Sequence, residues 1–300
     1  MKALPFLCCL ARPSALLRAT VVELAILVGH LLLYPTGIQQ EQPRALPGTP
    51  VGPDPEHDAG GADAIDTGTG TAAGTVPAAR TALLPTEGRA HPPVLLLHGF
   101  IDNRSVFVLL RRSLLRHGWR HVEALNYSPL TCDLRKAAEL LGRHVEQVCE
   151  RTGHSRVDLV GHSLGGLIAR YYAQRLGGDL RVRTLVTLGT PHGGTRVAPL
   201  MSAHPLVRQM RPHSDVIVEL ARPAPNCRTH FVSFWSDLDQ LMVPVETARI
   251  DHRDLITRSV RVSGVGHLAL PVNGAVAAGI REALGAEEEA EGSVSTTSVA

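Results

Sequence analysis

The chain has 300 residues and a formal net charge of only +2, so it holds one domain of roughly 200 residues plus extensions. Apolar residues make up 44% and can fill a sizeable core, whereas aromatics reach only 4% and the basic residues form no dense block. That balance argues against a nucleic-acid partner. No CxxC occurs, and none of the 15 histidines sits in HExxH or a similar metal spacing, so no metal site is expected.

The first 37 residues read as an export segment. Lys2, Arg12 and Arg18 precede an apolar run from Val21 to Tyr34, the order of a positive flank and a hydrophobic stretch. The run is short for a full span, and Glu23 and His30 interrupt it. No AxA-like cleavage site follows promptly. An uncleaved signal-anchor is favoured over a cleaved signal peptide, with an amphipathic helix packed on the domain as the third reading. The expected location is the cell membrane, with the folded domain exported, or the exterior. Cys8 and Cys9 fall in this segment. Of Cys132, Cys149 and Cys227, two could pair in an exported domain, but their spacing does not choose which.

Residues 38–88 are rich in Pro, Gly, Thr and Ala without periodicity and read as a flexible tether. Residues 286–300 read as a disordered acidic tail. The domain between, residues 89–285, alternates strand and helix patterns. Expected strands are Val94–Leu97, Arg120–Leu125, Arg156–Val160, Val182–Leu188, His230–Trp235 and Ser259–Val262. Expected helices are Ser105–His117, Asp133–Glu150, Leu164–Leu176 and Val272–Leu284. In the second of these, Leu134, Ala138, Leu141, Val145 and Val148 share one face. Such alternation implies an α/β fold, a mostly parallel sheet with helices on both faces. Ligand chemistry then belongs at the carboxyl ends of the strands.

Gly161-His162-Ser163-Leu164-Gly165 matches G-x-S-x-G. In a chain with 28 glycines the pattern alone is weak; its place between an expected strand and an expected helix makes it specific. A strand turning sharply into a helix exposes the hydroxyl of Ser163 on a strained backbone. Side chains at Gly161 and Gly165 would collide with the turn. His98-Gly99-Phe100 follows the first strand, which assigns the backbone N–H groups of Phe100 and Leu164 as candidate oxyanion donors. His267, in Gly264-Val265-Gly266-His267, follows the last strand and is the candidate base. The acid is Asp239 or Asp237, just past His230–Trp235. Asp239 is preferred because it directly precedes the apolar turn LMVP, while Asp237 reads as a solvated turn residue. Asp251 and Asp254 lie in a polar stretch and are weaker candidates. His192, in Thr190-Pro191-His192-Gly193-Gly194, reads as part of a turn bordering the pocket rather than as a catalytic group.

The segments VLLLHGF, VDLVGHSLGGLIARYY, LVTLGTPHGGT and GVGH resemble the lipase branch of the α/β-hydrolases, including small bacterial triacylglycerol lipases and the GPI inositol-deacylase-like group. The likeness covers roughly residues 92–284. It implies a minimal α/β-hydrolase fold, without early strands before residue 92 and without a large cap, since only Val197 to Asn226 is available for one. It also implies hydrolysis of lipid-type carboxylic esters by Ser163, Asp239 and His267 through an acyl-enzyme, chemistry that needs no metal or organic cofactor. An acyltransferase with the same acyl-enzyme, or a non-catalytic binding protein on the same scaffold, is the alternative. The apolar residues Val197, Leu200, Met201, Leu206, Val207 and Met210 are candidates for an acyl groove. The sequence says nothing of oligomeric state.

Overall fold

The computed structural model describes residues 17–18, 20–29, 91–126, 133–197 and 204–296. The tether 38–88, most of the leader, Cys132, Leu200 and Met201 lie outside them. Six strands form one wholly parallel sheet: β1 (Val94–Leu97), β2 (Val122–Leu125), β3 (Val157–His162), β4 (Val182–Leu188), β5 (His230–Ser236) and β6 (Ile256–Val262), in the order β2-β1-β3-β4-β5-β6. The central strands are buried along their whole length on both faces, with apolar side chains at most positions and a buried Asp158–Arg183 ion pair joining β3 to β4.

Helices cover each face. α1 (Val108–Arg116) and α6 (Gly274–Thr296) pack on one side, where Leu110, Leu114, Val276 and Ile280 meet Val94, Leu96 and Val160. α2 (Leu134–Thr152) and α3 (Leu164–Arg175) pack on the other, where Leu141, Val145 and Leu167 meet Leu95, Leu97 and Leu159. The buried stripe of α2 is the one its periodicity predicts. Asp133 caps its N-terminus by accepting from the Arg135 N–H, and Gly153, in the left-handed region, ends it. Between β4 and β5 there are only two short helices, α4 (Pro205–Gln209) and α5 (Asp215–Ala221), and no large cap among the described residues.

Most boundaries fall within one to three residues of expectation, and the departures at β6 and α6 have a clear physical reason. β6 begins at Ile256 rather than Ser259, because Ile256–Ser259 is solvent-exposed and carries no apolar run to announce a strand. α6 runs on to Thr296, through the segment read as a disordered tail. Ala and Glu dominate residues 286–290, and both are strong helix formers, so a helix already nucleated on the core propagates through them.

Residues 20–29 form a helix with Leu17, Val21, Val22, Leu24 and Val28 exposed. Among the described residues, no helix is long and apolar enough to cross a membrane. The crossovers from β1 diverge: β2 lies to one side of it and β3 to the other. The carboxyl ends of β1 and β3 therefore flank a topological switch point, where an open α/β sheet places its ligand.

Candidate active site

β3 turns into α3 at Ser163, whose backbone adopts φ 51 and ψ −118. A non-glycine residue holds that conformation only where its surroundings impose it. The turn is imposed by close packing. A side chain on Gly161 would strike the backbone of Gly166, and one on Gly165 would overlap the carbonyls of Leu97 and His98. Ser163 occupies the N-cap position of α3, yet its side chain makes no capping hydrogen bond. Its hydroxyl instead lines a cleft of about 640 Å³, an open volume that includes the mouth.

His267 lines the same cleft, and so do Phe100, Met210, Met242 and Leu268. The His267 Nδ1–H donates to Asp239 Oδ2 at 2.8 Å, and both residues are buried. The other oxygen of Asp239 accepts from the N–H groups of Leu241 and Met242, at 2.9 and 3.0 Å. The apolar turn after Asp239 thus holds the carboxylate in place. Ser236 Oγ donates to the Val265 carbonyl, tying the end of β5 to the loop that carries His267. Burial opposes charging of His267, but the charge and hydrogen bond of Asp239 outweigh it, with smaller help from Asp102 and Glu23. Its pKa is raised above the ordinary 6.5.

Asp237 points elsewhere. It accepts from Arg261 at 2.8 Å and from the Gly264 N–H at 3.2 Å. Burial works against its ionisation, but the Arg261 hydrogen bond and charge and the Gly264 N–H lower its pKa below the ordinary carboxylate value. Asp254 is committed to the Ala224 N–H, and Asp251 is exposed. His192 is buried behind the cleft, near Thr187 Oγ1. Burial, then Arg170, drives its pKa well below the ordinary value and keeps it neutral.

The loop after β1 lies against Ser163: a Cβ on Gly99 would stand 3.3 Å from Ser163 Cβ. Phe100 follows in that loop. Leu164 is the first residue of α3, where a helix leaves its N–H groups without internal partners. Both candidate oxyanion donors therefore sit on elements that border Ser163.

Three residues of the site escape sequence reading. Asp102 pairs with His162, Oδ2 to Nδ1 at 2.9 Å, and both are buried. Gly189, at φ 51, passes so close under the Asp239–His267 pair that a Cβ would stand 2.9 Å from each side chain. Glu23 reaches the His267 loop from the N-terminal helix. Of the three, only Gly189 leaves a trace, as the glycine directly after the strand in LVTLGTP. Among the described residues, no cluster of three or more His, Cys, Asp or Glu side chains could hold a metal ion. Cys149 and Cys227 are free thiols.

Residues 92–212 match a family described as the alpha/beta hydrolase fold. The chain has the α/β-hydrolase fold. A triacylglycerol lipase from Pseudarthrobacter phenanthrenivorans is 35% identical over 114 residues, 35% of this chain and 35% of the relative. A triacylglycerol lipase from Burkholderia plantarii is 34% identical over 114 residues, 35% of this chain and 31% of the relative. The chain spans about a third of the length of these curated relatives. Among solved structures, the mature Bacillus licheniformis lipase BlEst2 superposes with a TM-score of 0.52 at 14% identity, covering 63% of this chain and 89% of that chain. The product of a Listeria innocua gene superposes with a TM-score of 0.51 at 16% identity, covering 65% and 94%. The resemblance to the lipase branch rests on the sequence relatives, and the structural neighbours support the fold.

Proposed function

We propose that this protein is a serine carboxylic-ester hydrolase of the lipase and esterase type, acting on lipid-type esters with Ser163, His267 and Asp239 as its triad. One observation carries the reading: Ser163, strained and uncapped at the elbow, opens onto the same apolar cleft as His267, whose other ring nitrogen Asp239 holds. The names of the sequence relatives point the same way.

In this mechanism His267 Nε2 takes the Ser163 proton as Oγ attacks the ester carbonyl. Asp239 fixes the ring tautomer and stabilises the imidazolium. The N–H groups of Phe100 and Leu164 receive the developing oxyanion, each worth about 3 kcal/mol in comparable sites. His267 then protonates the departing alcohol, and water, activated by the same imidazole, releases the acid. Apolar side chains on the cleft wall, Val197, Val207 and Met210, receive the acyl chain. The exported, membrane-associated location fits the N-terminal helix, whose exposed Leu17, Val21, Leu24 and Val28 suit a lipid surface.

The test is labelling. A fluorophosphonate probe is expected to label the wild type and to fail on Ser163→Ala, with ester turnover lost in parallel. Equal labelling of both would overturn the assignment. Fractionation of cells expressing the full chain tests the location, which predicts the intact protein in the membrane pellet.

A further inference from the structure

Glu23 interrupts an apolar run, where a carboxylate is costly unless it is satisfied. It is satisfied by the loop that carries His267. Oε2 accepts from the Leu268 N–H at 2.9 Å, and Oε1 from the Ala269 N–H at 3.0 Å. These are the two amides directly after the candidate base, at the start of a turn that offers them no partner of its own. Successive backbone N–H groups of this kind form a concave anion site. The fit is close on the other side as well, since a side chain on Gly266 would overlap the Glu23 carboxyl. One turn earlier on the helix, Thr20 Oγ1 accepts from the Gln240 side chain at 3.0 Å, and Gln240 directly follows Asp239. A single helix, far away in sequence, thus grips both the loop of the candidate base and the loop of the candidate acid.

We infer that Glu23 is a positioning residue for the hydrolytic site, and that the N-terminal helix is a strap that holds the His267 loop in its working geometry. This rests on the hydrolase reading above. The strap acts through hydrogen bonds to the backbone of residues 268 and 269, so the His267 ring is held from behind while its face toward the cleft stays open. Charge contributes as well. The ionisable groups facing His267 are Asp239, Asp102, His162 and Glu23. Removing the Glu23 carboxylate takes away one of the charges that favour the imidazolium, so His267 should lose its proton at lower pH.

The full chain is assayed with a soluble short-chain ester as wild type, Glu23→Ala, Glu23→Gln and Gly266→Ala, with Ser163→Ala alongside. A positioning role predicts that kcat falls by roughly 10- to 100-fold in Glu23→Ala, the scale of a modest misplacement of a catalytic group. KM should stay within about twofold by the same reasoning. The acid limb of kcat/KM should move to lower pH in both Glu23 variants, a shift that loss of packing alone would not produce. Gly266→Ala leaves the helix sequence untouched but displaces the carboxylate, and should reproduce the loss in kcat. It decides the matter if the Glu23 variants do not fold. Ala25→Gln, on the exposed side of the helix, should behave as wild type. Wild-type kcat and pH profile in folded Glu23 or Gly266 variants would overturn the inference while leaving the hydrolase reading intact. Persistent turnover in Ser163→Ala would overturn that reading itself.

Discussion

Two buried histidine–carboxylate pairs lie side by side, and they differ in what the second ring nitrogen faces. In one, His267 gives Nδ1 to Asp239 at 2.8 Å, and no hydrogen bond occupies its Nε2 among the described residues. In the other, His162 gives Nδ1 to Asp102 at 2.9 Å, while its Nε2 meets the carbonyl of His267 at 3.2 Å. The ring centroids are 4.7 Å apart. The chemistry of each pair is the same, so their roles follow from the second nitrogen. His267 keeps one ring nitrogen without a hydrogen bond, as the proposed base requires. His162 has spent both, one of them on the backbone of His267.

Deleting each ring in turn separates the two histidines. His267→Ala is expected to remove turnover by up to ~10⁶-fold, as loss of a triad member does, with the fold largely retained. His162→Ala should do the reverse. It removes one partner of a buried pair, which costs ~3–5 kcal/mol of stability, while activity per folded molecule falls by no more than about 10²-fold. Thermal unfolding and kcat per probe-titrated site measure the two effects. Equal losses of activity would mean that the two histidines are not divided in this way.

The two neighbouring acids divide in the same way. Asp239→Asn should cost on the order of 10⁴-fold in kcat, because the amide favours the wrong tautomer of His267. Asp237→Asn loses only a half-exposed pair with Arg261, worth about 0–1 kcal/mol, and should leave kcat within a few-fold. A silent Asp237→Asn beside an active Asp239→Asn would reverse the assignment.

The raised pKa of His267 gives a smaller, pH-dependent test. The base must be neutral to act, so kcat/KM should decline on the acid side with a half-point above 6.5. The sign for stability is opposite. A histidine whose folded pKa is raised stabilises the fold fully below the unfolded value and loses that contribution as pH rises through the folded one. The stability difference between wild type and His267→Ala should therefore narrow as pH climbs past the half-point of the activity limb. A half-point at or below 6.5 would show that Asp239 does not outweigh burial at this ring.

Much of this was legible in the sequence where a local rule governs the residue. The central strand β1 has the expected boundaries because burial on both faces leaves an unbroken apolar run, and β4 has them through Val182, Leu185, Val186 and Leu188, although Arg183 is buried within it against Asp158. Ser163 announces itself because the elbow needs small residues at fixed offsets. The choice between Asp237 and Asp239 turned on the apolar residues after Asp239, whose amides do hold its carboxylate. Tertiary contacts left less trace. Asp102 meets His162 across 60 positions, and nothing in the loop after β1 marks it as a partner. Glu23 looked like a defect in an apolar segment, because its partners are backbone N–H groups that carry no sequence signature.

The last test moves from the charged side of the cleft to its apolar side. Val197, Val207 and Met210 line the wall that also includes Leu241 and Met242, so part of the expected acyl groove borders Ser163, whereas Leu206 does not line it; Val207 and Met210 also pack with Leu206 in the core. If the groove receives the acyl chain, each CH₂ it buries adds up to about 0.8 kcal/mol, or roughly fourfold in kcat/KM. Nitrophenyl esters from two to about eight acyl carbons should then show a steady rise. Met210→Asp places a charge on that wall at a distance from both histidine pairs in sequence, and should flatten the rise while acetate-ester cleavage persists. Should Met210→Asp instead lower all chain lengths by the same factor, Met210 serves the packing of α4 rather than the substrate. A wild type that prefers acetate esters would make the protein a short-chain esterase, and the apolar wall would then be the seat of the small cap rather than of a lipid.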